Sequence, residues 1–406
     1  MFSALKSQRH PVEFGLLIAL AVFLPLLEAP KNLAWLAYCV AWLANRVRTR
    51  DFGGRWDAWD TLIALWVASA FLSAAFAGQP RAEWDGAMDL VRYTSILWLV
   101  KRGGYPTGAL RWVLGALVLS VVVGLGIGHY RLYTGLAKSG FLQIHSVGHV
   151  NHTAIYIAIM LGACFAWLFA RWQAWPRGRR ASALAICVLV LVSLIVTQSR
   201  AAVGVGLLLV PLLAAAWWPR WRVPLVASLC AIGAAVAFAL AFDAGVVRKQ
   251  QDRESEANVL AFRDGMWRSA LAAWERYPWF GVGMDNYIEI THDRIRQWRE
   301  AAGKHYVAAD YVRFPHGHSL YFNTLAERGT VGMAALSAVL LAWLAALARR
   351  RPRAGDADHD WLLWGAAASA WFVTVGVGIA NTTLHHEHGI LAALLLGLWL
   401  GRPRAS

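Results

Sequence analysis

The sequence contains no P-loop, no GxSxG elbow and no Rossmann glycine pattern, so nothing in it supports nucleotide binding. The HExxH zinc signature is also missing. Cysteine is scarce: Cys39, Cys164, Cys187 and Cys230 are the only four. All lie inside apolar runs, where each reads as a small buried hydrophobe, which argues against a disulfide scaffold. No small-residue cleavage site follows the first apolar run, so residues 12–27 are expected to be a retained span and not a removed signal. No inverted pair of broken apolar segments is evident, which weakens a transporter reading.

Apolar length is what the sequence has in abundance. Hydrophobic residues make up 58% of the 406 positions, and the mean hydropathy is +0.44. An ordinary globular domain holds roughly 45–50%. Runs of about 20 apolar residues recur, as in a polytopic membrane protein. Lipid offers the backbone no hydrogen-bond partner, so the spans must be helices and the fold class all-α. Twelve spans are expected, at 12–28, 31–45, 58–77, 87–101, 109–130, 151–170, 182–198, 201–218, 223–242, 318–348, 361–381 and 388–401. This divides the chain into nine spans over 1–243, one large loop over 244–317, and three spans over 318–406.

The net charge is +15. In this setting it is explained by topology and does not call for nucleic acid. More than half of the Lys and Arg fall in alternate loops, among them Arg46, Arg48, Arg102, Arg177, Arg350 and Arg402. The positive-inside rule then puts both termini in the cytoplasm and the large loop outside. Of the 13 histidines, only His10 and His359 fall on the cytoplasmic side. The outer face is therefore expected to be the working face. The 23 tryptophans suit interfacial belts and are given no catalytic role.

The loop is the one long polar stretch. Residues 254–277 read as an amphipathic helix, with Val259, Phe262, Met266, Trp267, Ala270 and Trp274 on one stripe. Pro278 stops it. Asp285 is expected to cap a second helix reaching about Ala302. Both helices suit a membrane surface and could roof a cavity.

Three constellations could carry chemistry. Arg200 opens a helix at the outer side, where free N–H groups and the dipole favour an anion, and a guanidinium adds to that. A snorkelling arginine explains the same position. Arg263 lies one turn from Trp267 on the loop helix, where a solvated charge is also an adequate account. His316-Gly317-His318 enters a span, with Tyr321 a turn beyond. A histidine there can take a proton from a hydroxyl near neutral pH. Convergence of His316, His318, His385, His386 and His388 on zinc is the competing reading, ranked lower for want of a ligand motif.

These residues carry a family resemblance. Thr197-Gln198-Ser199-Arg200 stands at a span edge. Phe262-Arg263, Trp267 and Tyr277-Pro278-Trp279-Phe280-Gly281-Val282-Gly283 follow in the loop. His316-Gly317-His318-Ser319-Leu320-Tyr321, Glu327-Arg328-Gly329 and Gly332 complete the set. Together, and with the layout of spans and loop, they resemble the O-antigen ligase and polymerase superfamily. The family histidine is usually followed by Asn, whereas Ser319 stands here.

The resemblance implies a transferase of the GT-C type in the inner membrane of a Gram-negative bacterium. It implies an undecaprenyl-pyrophosphate-linked glycan donor, a lipid A–core acceptor and surrounding membrane lipids, with no cofactor and no metal. Arg200 and Arg263 would hold the pyrophosphate, His318 would act as general base, and His316 and Tyr321 would bind substrate. O-antigen polymerase and protein O-oligosaccharyltransferase are the near rivals, and a non-enzymatic glycan transporter is the rival of another class.

Overall fold

The computed structural model describes residues 9–77, 83–137, 140–218, 261–353 and 355–402. Among them there are thirteen α-helices and no strand. They are α1 (Pro11–Phe23), α2 (Glu28–Thr49), α3 (Ala58–Phe76), α4 (Glu83–Lys101), α5 (Thr107–Tyr133), α6 (Val150–Arg171) and α7 (Arg177–Val196). There follow α8 (Arg200–Trp217), α9 (Ala261–Arg276), α10 (His292–Ala301), α11 (Leu320–Arg349), α12 (Asp358–Gly378) and α13 (His386–Leu400). Local chemistry sets several of the ends. Asp57 and Asp60 form a reciprocal capping box at the start of α3. Pro11 opens α1, where its missing N–H costs nothing.

Seven described helices are long and apolar enough to cross a membrane: α3, α5, α6, α7, α8, α11 and α12. Helices α1 and α13 are apolar but shorter. Helices α2 and α4 carry more charge, including Lys31 and Arg46 on α2 and Asp89 and Arg92 on α4. The expected span at 223–242 lies outside the described residues.

The centre of the bundle is α6, α12 and α13. Helix α6 is apolar nearly all round and packs against α7, α8, α12 and α13, as a helix with no solvent face must. Helix α13 is buried from Glu387 to Leu400, between α4, α6 and α12. Buried ion pairs fix the first helices. Glu13 of α1 pairs with Arg46 of α2 at 3.1 Å, and Tyr105 donates to the same carboxylate. Lys31 of α2 pairs with Glu387 of α13. A single unpaired charge at such a site costs about 3–5 kcal/mol.

The two ends of the bundle differ in chemistry. One gathers Arg55, Lys101, Arg102, Arg350 and Arg402 around a cavity of about 550 Å³. There Arg102 reaches Asp60 at 2.7 Å and Arg402 reaches Asp360 at 2.6 Å. The other end gathers the N-termini of α4, α6, α11 and α13 and most of the histidines.

The polar loop has a small core of its own at this second end. Met266 and Ala270 of α9 are buried, and a cluster around Ala270 and Ala273 takes in Tyr287, Ile290, Ile295 and Tyr311. Trp267 stacks on Phe322 of α11, ring centroids 5.1 Å apart. The second loop helix differs from expectation. It starts at His292, capped by Thr291, and Asp285 lies instead in a turn ahead of a short 3-10 segment at Tyr287–Glu289, whose N-cap is Asn286. Asp285 has φ +60, a left-handed conformation from which it does not cap a helix here.

Helix α11, expected to be continuous, is broken at Gly329 (φ +58, ψ −159). The break frees backbone groups, and the Pro278–Gly283 strap takes them up. Val282 N–H donates to the Ala326 carbonyl at 2.9 Å, and Gly283 N–H to Glu327 at 3.0 Å. In return Thr330 N–H donates to Pro278 at 2.8 Å, and Val331 N–H to Trp279 at 3.1 Å. A helix may be interrupted at membrane depth where protein satisfies the freed groups. The glycines of the two motifs are the space this docking needs. A Cβ on Gly329 would stand 2.5 Å from the Trp279 backbone, and one on Gly332 would strike the Arg328 side chain.

Candidate active site

The strap and the break place α11 so that its first turns wall a cavity of about 380 Å³ at the histidine-rich end. That lies within the ~300–1,000 Å³ usual for ligand pockets. His316, Asn323 and Glu327 come from the α11 side, Asp89 and Tyr93 from α4, and His152, His385 and His386 from α6 and the start of α13. A second cavity of about 460 Å³ adjoins it and shares Asp89, Tyr93, His152 and His386.

The His316-Gly317-His318 turn is tightly specified. Gly317 donates its N–H to Asn323 Oδ1 at 2.9 Å, and a Cβ there would meet the Tyr287 ring at 2.9 Å. His318 has φ +44, a left-handed conformation uncommon outside glycine. Ser319 then caps α11: its hydroxyl accepts from Phe322 N–H and donates to the Gly378 carbonyl at 3.2 Å. Ser and Asn cap helices about equally well, so the departure from the family residue leaves this local structure intact.

His318 packs edge-on against His316, centroids 4.3 Å apart, with Phe314 at 4.7 Å. Burial, then the His316 ring and the Arg263 guanidinium, push its pKa down to about 4, against a raising hydrogen bond with the Asn381 side chain. His316 is lowered by burial and then by the His149 and His386 imidazoles. Asp285, in the same wall, is raised by burial and then by the Asp89 carboxylate.

All five expected site residues lie at this end of the bundle, though not all of them face the cavity. His316 lines the cavity and His318 touches His316. Arg263 of α9 lies near enough for its charge to act on His318. Arg200 is the first residue of α8, behind Ser199, whose side chain makes no capping bond to the helix. Gly376 of α12 lies against Val205 of α8, while Gly378 accepts from Ser319. The α8 N-terminus is thus at the His318 end. Tyr321 is turned elsewhere: its hydroxyl donates to the Val375 carbonyl of α12 at 3.0 Å.

Several further groups, none of them among the five expected site residues, line the cavity. Glu327 stands at the last turn before the break and accepts from Asn323 Nδ2 at 2.8 Å. Arg328 is buried against Ser69 and the Trp66 carbonyl. Asp89 lies within the expected span 87–101, and an ionisable residue in a span is a functional candidate by default. His152, His385 and His386 come together closely enough for one nitrogen of each to lie within 4.8 Å of the others.

Residues 185–337 match the family model described as O-antigen ligase. That stretch holds Arg200, Arg263, the strap, the histidine turn and the break in α11. An uncharacterized protein of Haemophilus influenzae is 29% identical over 90 residues, which is 22% of this chain. Those residues are 21% of that protein, so the match spans about a fifth of the relative's length.

Proposed function

Taking 185–337 as O-antigen ligase-type sequence, we propose that this chain moves a glycan from undecaprenyl pyrophosphate to a sugar hydroxyl of lipid A–core. The observation that carries the reading is the placing of His318, Arg263 and the α8 N-terminus at the same end of one bundle, beside a cavity. Twelve spans with both termini in the cytoplasm would put this end at the periplasmic face of the inner membrane. No nucleotide sugar reaches that face, so the donor carries its own leaving group.

The chemistry is one displacement. The acceptor oxygen attacks the anomeric carbon, its proton passes to His318, and the bond to the pyrophosphate oxygen breaks. The electron pair leaves with undecaprenyl pyrophosphate, and the anomeric configuration inverts. Arg200, helped by the N-terminus of α8, and Arg263 stabilise the charge that develops there. His316 orients the acceptor, and Tyr321 holds the first turn of α11 against α12.

At a pKa of about 4, His318 is a weak base at neutral pH, and general bases work best near the operating pH. Arg263 is one of the charges that hold it low. A pyrophosphate on Arg263 offsets that charge and raises His318. Donor binding therefore strengthens the base only once there is something to attack.

The test is transfer by purified protein offered lipid A–core, free repeat-unit donor and a periplasmic protein as competing acceptors. Product on lipid A–core supports the reading. Product on the repeat unit or on protein would make the chain a polymerase or a protein transferase, and no product on any acceptor would favour transport.

A further inference from the structure

We propose that His152, His385 and His386 form a binding site for a divalent transition metal of the zinc class, separate from the displacement chemistry at His318. All three lie outside the stretch that matches the O-antigen ligase family. Two helices contribute: His152 lies in the first turn of α6, while His385 and His386 form the start of α13. The His152 ring lies 4.7 Å from that of His386 and 6.2 Å from that of His385, and His385 and His386 are 3.7 Å apart. One nitrogen of each lies within 4.8 Å of the others. In a tetrahedral zinc site, with Zn–N of about 2.0–2.1 Å, ligand nitrogens sit about 3.4 Å apart. Small side-chain rotations close the difference, and a metal supplies the force for them.

A second observation is independent of that spacing. His388 is fully buried, its ring 5.2 Å from that of His152. Its Nε2 sits 3.2 Å from the Thr382 carbonyl, which accepts a proton from it, and its Nδ1 has no hydrogen-bond partner. This is the tautomer of a metal-binding imidazole, whose far N–H is held by a carbonyl while the near nitrogen offers its lone pair. A buried imidazole nitrogen without a partner is otherwise an uncompensated cost. His388 stands outside the group whose nitrogens lie within 4.8 Å of one another, as the buried imidazole next to His152.

The surroundings suit a cation. Asp89 lines both adjoining cavities, and Glu28 and Glu387 line the one beside His152 and His386. Lys31 is held by Glu28 and Glu387, and Arg92 by Asp89. His386 has φ +47 and donates its N–H to the Tyr93 hydroxyl at 3.0 Å. Strain of this kind collects at ligand clamps. Neutral nitrogen ligands favour zinc and its neighbours over magnesium or calcium, which prefer oxygen. The bound ion would tie the first turn of α6 to the first turn of α13 across the cavity wall.

The experiment uses the full chain without a polyhistidine tag, stripped with EDTA and titrated with ZnCl₂ by calorimetry. Co²⁺ serves as the spectroscopic probe. Wild type should take up about one equivalent, and the cobalt form should show the intense visible bands of tetrahedral coordination. His152→Ala and His386→Ala should each weaken binding by at least the ~10–100-fold that loss of a mere supporting group costs. His145→Ala, an exposed histidine at the same end, should bind as wild type does. Melting of each variant in EDTA shows that it is folded, and His386, the exposed member, is the variant least exposed to folding failure. No zinc uptake by folded wild type would overturn the proposal. So would undiminished uptake in both His152→Ala and His386→Ala. Because the readout is metal bound, it is decided whether or not the chain transfers glycan.

Discussion

Gly281 lies so close to Glu327 that a Cβ on the glycine would stand 2.4 Å from the glutamate carbonyl carbon. The loop motif and the α11 motif are therefore one device, a strap laid across a broken helix. Gly281→Ala should cost more than the ~1–2 kcal/mol of a left-handed alanine, because the clash adds to it. Transfer should fall with the melting temperature. Gly303→Ala is the control, with φ +67 but nothing within 4 Å. It should show the backbone cost alone and keep transfer. Equal effects in the two variants would separate the strap from the site.

His318→Ala should lower the transfer rate by about 10²–10⁴-fold while donor binding persists. His316→Ala should cost less. Rates at matched expression and thermal stability decide it. Normal transfer by His318→Ala with loss in His316→Ala would move the base to His316, and two active variants would remove the general-base mechanism.

Arg200→Ala and Arg263→Ala should weaken donor binding and transfer, and the Lys variants should lose less. Lysine keeps the charge but not the bidentate fork. Titration of a donor analogue alongside the transfer rate reads both effects. Full activity in either Ala variant would leave that arginine as an interfacial anchor.

The acid limb of kcat/KM, which reports the free enzyme, should lie well below the ordinary histidine value of about 6.5, because His318 sits at about 4. The acid limb of kcat, which reports the donor complex, should lie higher. Arg263→Gln should bring the two together. The stability sign follows from the same shift. The unfolded chain takes the proton near 6.5 and the folded site only near 4, so this contribution is present above 6.5 and is lost as pH falls from 6.5 toward 4. A kcat limb at or below that of kcat/KM would show that the bound donor does not raise His318.

Lipid makes part of this fold legible from sequence. Residues 58–77, 151–170 and 201–218 were read within a few residues of α3, α6 and α8, because an apolar run of that length has few other uses. The break at Gly329 was not legible. Glycines inside a long apolar run are tolerated in a helix, and the cause of the break is a hydrogen-bonding partner some fifty positions earlier in the chain. The second loop helix was misplaced for a local reason, since Asp285 has the side chain of a cap but the backbone of a turn. The histidine turn and the arginine opening α8 could be found because their chemistry is unusual beside lipid. Asp89 falls inside the expected span 87–101, and only the cavity shows what it faces. His152 and His386 are 234 positions apart, and no spacing rule joins them.

The pairing of Lys31 with Glu387 spans 356 positions. A ribosome delivers α2 to the membrane long before it has made α13. Until then Lys31 has Glu28 for company, a carboxylate that is itself largely exposed in the finished protein. The first hairpin thus waits, incomplete, for the last helix, and a chain truncated before Glu387 leaves a lysine stranded in the bundle. The ion pair makes the stability of the first hairpin depend on the arrival of the last helix.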